Sequence, residues 1–74
     1  MKEAKRLNKN LLESEMKAYG DTGTALAAFL GIARSTFSAK LNETNGAEFT
    51  QGEIYRIKMK YNLSAEKINE IFFA

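Results

Sequence analysis

Apolar residues recur at helical spacing in five segments of the chain, and each segment is bounded by residues that start or stop helices. In the first, Ala4, Leu7, Leu11 and Ala18 fall on one side, and Leu12, Met16 and Tyr19 form a second stripe. This predicts a helix over residues 3–19, ended by Gly20 in the left-handed conformation. A second helix is predicted over 22–30, with Thr22 as N-cap and with Leu26, Phe29 and Leu30 inward beside Ala27. A third covers 34–41, and Asn45-Gly46 marks a turn after it. Thr50 followed by Glu53 is a capping box, with Phe49 and Ile54 as its hydrophobic staple. It opens a helix over 51–61 that buries Ile54, Ile57 and Tyr61 and ends at Asn62. Ser64 and the pair Leu63/Ile68 repeat that arrangement for a helix over 65–73, with Ile68, Ile71 and Phe72 inward.

The break between the second and third helices is the most distinctive local feature. Gly31 follows a helical turn and is predicted to take positive φ. Ala27, four residues earlier, is small enough for two helix backbones to approach, and Ile32 plugs the turn. On the third helix Phe37 and Leu41 define the inward side. Ser35, Ser38, Ala39 and Asn42 then fall on the far side or its edge, and Arg34 stands at the start. A solvated helix face ordinarily carries Glu and Lys. A face of small, uncharged side chains instead lets the backbone come close to a partner, as a helix does in a DNA major groove.

Composition narrows the class. Seventy-four residues make one domain, 1–74, and 45% apolar content suffices for a helical core. The chain has no cysteine and no histidine, so neither a disulfide framework nor a common zinc constellation is expected, and no metal or cofactor is implied. No apolar run approaches the length of a membrane span, and the charged start MKEAKRLNKN lacks the apolar stretch of a secretory signal. A soluble, cytoplasmic protein is expected. The net charge is only +2, but its distribution is uneven: Asp and Glu are absent from Thr22 to Asn42 and again from Ile54 to Lys60, where Arg56, Lys58 and Lys60 lie. A surface meant for phosphates avoids negative charge. Ser35, Ser38 and Lys40 have neither a general base nor an oxyanion arrangement beside them, and no enzymatic role is predicted.

The segment TGTALAAFLGIARSTFSAKLN resembles the helix-turn-helix of the lambda-repressor-like (Cro and phage-repressor) DNA-binding domains, through Ala27, Gly31, Ile32 and Phe37. EFTQGEIYRIKMKYNLSAEKINEIFF is similar to the two closing helices of small phage-type repressors, so the resemblance covers roughly residues 5–73. It implies an all-α, compact five-helix bundle acting as a sequence-specific regulator of transcription, a repressor of phage or prophage type associated with the nucleoid. By position, Arg34, Ser35, Ser38 and Ala39 would contact bases. Thr22 and Thr24 would bind phosphate, with Lys40, Asn42 and Asn45 as weaker phosphate contacts. The chain departs from the family pattern at three positions. Ala33 stands where a capping Ser or Thr is common, Gly23 where a DNA-touching glutamine is common, and Lys40 where an apolar residue is common.

Tyr55, Met59 and Phe73 lie off the inward stripes. Either they fold onto the same small core or they form a homodimer contact, which would call for a pseudo-palindromic operator. The residues themselves also admit other readings. The Ala27–Gly31–Ile32 corner suits a helical protein–protein adaptor that never meets nucleic acid, and a DNA-bending architectural or excision-type accessory protein would use the same helix-turn-helix.

Overall fold

The computed structural model describes residues 7–73. Among them are five α-helices, a short 3-10 turn and no strand: α1 (Lys9–Ala18), α2 (Gly23–Leu30), α3 (Arg34–Leu41), the turn Thr44–Gly46, α4 (Gln51–Lys60) and α5 (Ala65–Phe72). Their ends follow from local chemistry. The hydroxyls of Thr22 and Ser64 accept from the amides of Ala25 (3.1 Å) and Lys67 (3.0 Å). The capping box of α4 is complete in both directions: Glu53 N–H donates to the Thr50 hydroxyl (3.1 Å) and Thr50 N–H to the Glu53 carboxylate (2.9 Å). Gly20, Gly31 and Asn62 end α1, α2 and α4 in the left-handed region. Behind each, the next amide reaches back into the helix: Asp21 to the Met16 carbonyl, Ile32 to Ala27 and Leu63 to Lys58.

The first helix is shorter than the periodicity predicts. Residues 3–6 of the expected helix, including Ala4, lie outside the described residues. Leu7 and Asn8 precede the helix, because the Asn8 side chain accepts from Leu11 N–H (3.1 Å) and caps it. Leu7 still reaches the core from its extended position. The Asn8 amide donates to the Ile71 carbonyl (2.6 Å), which fastens the start of α1 to α5.

α1 and α4 both pack on α5, and α2 packs on α3. The shared core contains Leu12, Leu26, Ile57 and Ile71, with Phe37 and Tyr61 as its largest fully buried side chains. Edge-to-face ring contacts run from Phe37 to Phe49 (5.7 Å between centroids) and from Phe49 to Phe72 (5.9 Å). They join α3, the segment before α4 and α5 into one block. Removing a buried phenylalanine ring costs about 3–5 kcal/mol, against a total stability on the order of 4–11 kcal/mol for a domain of this size. The Cα radius of gyration, 11.6 Å, is close to the roughly 11 Å of a compact domain of this length. No described helix is long and apolar enough to cross a membrane.

Two aromatic residues expected inward lie at the rim. Phe29 is 44% exposed. Leu26, Ala27 and Leu30 already set the inward direction of α2, and Phe29 falls about 100° to one side of it. The Lys60 ammonium covers its ring at 4.7 Å. Tyr19 is 54% exposed; it follows the last turn of α1, donates its hydroxyl to the Tyr61 carbonyl (2.9 Å) and lies against the Tyr61 ring. Burial, and then the hydrogen bond to Asp21 (2.7 Å), push the Tyr61 phenol well above its ordinary range, so it remains a donor at all physiological pH.

Among the described residues, α3 alone of the α-helices lacks a side-chain cap: Ala33 occupies the capping position in an extended conformation, exposed to solvent. Ala33→Ser supplies the missing acceptor and should raise stability by about 1 kcal/mol, read as a higher denaturation midpoint at unchanged m-value. An unchanged midpoint would mean that the first amides of α3 are already satisfied by water.

Candidate nucleic-acid interface

The turn at Gly31 fixes how α3 is presented. With φ 76° and ψ 29°, Gly31 donates to the Ala28 carbonyl (3.1 Å), and Ile32 donates to Ala27 (3.0 Å). A Cβ at Gly31 would touch nothing within 4 Å. The demand for glycine is therefore conformational and not steric. Ala27 is buried, as expected of a residue where helices approach closely, and Ile32 packs against the core from the turn. α3 then buries Phe37 and Leu41 and leaves its other side outward.

Arg34, Ser35 and Thr36 are exposed, whereas Ser38 and Ala39 are half-buried. Of the four expected base contacts, Arg34 and Ser35 thus stand fully clear, and Ser38 and Ala39 offer part of their surface. Thr36 was not singled out by the sequence pattern. It lies about 100° before Phe37 on the helical wheel, a position that the inward pair alone leaves outside.

The structure brings two groups of polar side chains to the two ends of α3. At its start, the Arg34 guanidinium lies over Gly23 in the first turn of α2, between the exposed Thr22 and Thr24. Among the described residues Arg34 has no ion-pair partner and the α2–α3 unit contains no carboxylate. At its end, the Asn42 side chain donates to the Ser38 carbonyl (3.0 Å) and accepts from the Lys9 ammonium (2.8 Å). Lys9 thereby places a cation beside the C-terminal carbonyls of α3, which favour positive charge. Sequence periodicity treats Lys9 as filler on the polar side of α1; only the tertiary contact gives it this place. Asn45 is exposed in the turn beyond α3, at positive φ.

Lys40, expected as a weaker phosphate contact, is engaged within the fold. Its ammonium contacts both carboxylate oxygens of Glu53 (2.7 and 2.8 Å), and the two side chains are only 15% and 13% exposed. It braces α3 to the first turn of α4. The pair is nearly buried and uses the same carboxylate as the capping box. Arg56, likewise, turns inward enough to make a long contact (3.5 Å) with the Leu30 carbonyl at the end of α2.

No family model matches the chain, and no curated protein or solved structure does.

Burial pushes the Glu53 carboxyl upward, but the Lys40 hydrogen bond and charge, with the Thr50 amide and hydroxyl, outweigh it, and the net shift is below the ordinary 4.5. A depressed carboxylate contributes stability above its unfolded pKa and loses it as pH falls through the folded one. The thermal midpoint should therefore drop on acidification below about pH 4.5. In Glu53→Gln this acid limb should be shallower, and at neutral pH Lys40→Ala should cost about 1–3 kcal/mol. Identical acid limbs for the wild type and Glu53→Gln would refute the assignment.

Proposed function

We propose that the protein binds double-stranded DNA in a sequence-specific manner and regulates transcription, as a repressor of the phage or prophage kind with a lambda-repressor-like helix-turn-helix. The observation that carries this reading is the one-sided burial of α3. Phe37 and Leu41 face the core, while Arg34, Ser35 and Thr36 stand free on an acid-free unit held in place by the Gly31 turn. A rod about 10–12 Å across with short outer side chains suits a major groove about 12 Å wide.

In this reading the start of α3 enters the groove. Arg34 donates to a guanine edge, Ser35 and Thr36 to neighbouring acceptors, and the half-exposed methyl of Ala39 lies against a thymine methyl. Thr22 and Thr24 anchor the first turn of α2 to a phosphate. The Thr22 hydroxyl oxygen already accepts from Ala25, so its proton remains for the phosphate. Lys9 and Asn42 serve the flanking backbone at the other end of α3.

Self-association belongs to the same proposal. Tyr55 and Met59 stand one turn apart on α4, each 60% exposed, and Phe73 is 55% exposed after α5. They lie largely outside the monomer core, and a homodimer joined through them reads two half-sites if its two α3 helices stand about 34 Å apart, one turn of duplex.

Selection from random duplex should return a pseudo-palindromic sequence, and affinity for it should fall steeply with salt. Arg34→Ala should lose roughly 1–3 kcal/mol of that affinity with no change in thermal midpoint. A protein that selects no sequence and binds duplex at no salt concentration would instead be a protein–protein adaptor; strong bending of the selected duplex would point to an architectural role. Sedimentation tests the second part: replacing Tyr55 and Met59 together by serine should shift the protein from dimer to monomer. If both forms sediment as the same monomer, that contact is ruled out.

A further inference from the structure

Gly23 is not required by its backbone, since it does not lie at positive φ. It opens α2, where alanine is accommodated at least as well as glycine. What borders the space of the missing side chain is Arg34. A Cβ built on Gly23 would lie 3.3 Å from the Arg34 Cζ, 3.3 Å from Nε and 3.4 Å from Nη2. The near equality of these three distances has a geometric meaning. A point in the guanidinium plane, outside the Nε–Nη2 edge, would lie nearer to the two nitrogens than to the carbon. Equal distances put it above the plane. The guanidinium is therefore stacked face-on against the first turn of α2, and among the described residues its N–H groups meet no acceptor.

We infer that Gly23 is a positioning residue that sets the sequence preference of the protein through Arg34. The inference rests on the reading of α3 as the DNA-facing helix. Arginine has several rotatable bonds, and an exposed one ordinarily samples many orientations before meeting a base. Stacking on Gly23 removes part of that freedom while no N–H is spent on a carboxylate. The planar fork is held ready to donate two parallel hydrogen bonds to one guanine edge. A methyl at position 23 leaves the fold intact, because the neighbour that must move is the far end of a flexible, exposed side chain. It displaces the guanidinium by a few tenths of an ångström and shifts its donors with it. In this way one hydrogen-to-methyl change in a residue on α2 alters which base pair Arg34 accepts.

The test is a cycle of four proteins, namely wild type, Gly23→Ala, Arg34→Ala and the double variant. Each is measured for affinity and base preference on the duplex that the wild type selects from a random pool, and for thermal midpoint. Gly23→Ala should melt no lower than wild type, bind about fivefold or more weakly, and change its preference at one base pair of each half-site. In the Arg34→Ala background the same methyl should have no effect on binding. The inference is overturned if Gly23→Ala binds with wild-type affinity and preference. It is equally overturned if the loss is as large without Arg34, since the methyl would then be colliding with the duplex itself. Nuclear Overhauser contacts between the Gly23 α-protons and the Arg34 side chain in the free protein separate the two levels. If they are present in a wild type that selects no duplex, the DNA reading has failed and this inference falls with it, although the packing is real. If they are absent in a wild type that does select a duplex, the inference alone fails.

Discussion

The arrangement of the helix pair depends on a single left-handed residue. Gly31 turns the chain out of α2, and the Ile32-to-Ala27 hydrogen bond locks that turn before α3 begins. Any residue with a Cβ would cost about 1–2 kcal/mol there from backbone strain alone, although the surrounding space is open. Because the turn is tight, Phe37 and Leu41 meet the core while Arg34 to Thr36 do not. The exposed flank of α3 is thus a consequence of backbone geometry at a residue that carries no functional group.

Fixing the turn does not by itself fix the helix that follows. α3 is only eight residues long, and its N-cap side chain is absent; isolated helices of this length are unstable in water. Three tertiary contacts hold it. The Phe37 ring packs edge-on against Phe49, Lys40 is clamped by the capping carboxylate of α4, and Asn42 is met by Lys9 from α1. They come from different parts of the chain, so the second half of α3 is restrained without loss of its outer side. Glu53 serves twice, closing the first turn of α4 and receiving Lys40, which ties the local stability of one helix to the placement of another.

The charge pattern follows from the same economy. Two cations on the far elements are engaged by neighbours: Lys60 lies between Asp21 and the Phe29 ring, and Lys67 lies near Glu15 and Glu70. Arg34 has no such partner among the described residues and rests on a glycine. A net charge of only +2 therefore says little about the surroundings of Arg34, which lie on a stretch without acidic residues from Thr22 to Asn42. Local field, more than total charge, governs attraction of a polyanion at short range.

The amino-acid sequence by itself determined where elements begin and end. Thr22, Thr50 with Glu53, and Ser64 start helices, and Gly20, Gly31 and Asn62 stop them, because caps and left-handed turns are settled by atoms within a few residues of one another. It also gave the inward residues wherever one stripe dominates, as with Phe37 and Leu41 or Ile68, Ile71 and Phe72. Tertiary structure decided the rest. Phe29 and Tyr19 lie at the rim, Lys40 pairs with Glu53, and Arg34 stacks on Gly23. These outcomes depend on distances between side chains far apart in the chain, and helical periodicity carries no information about which neighbour arrives across the gap.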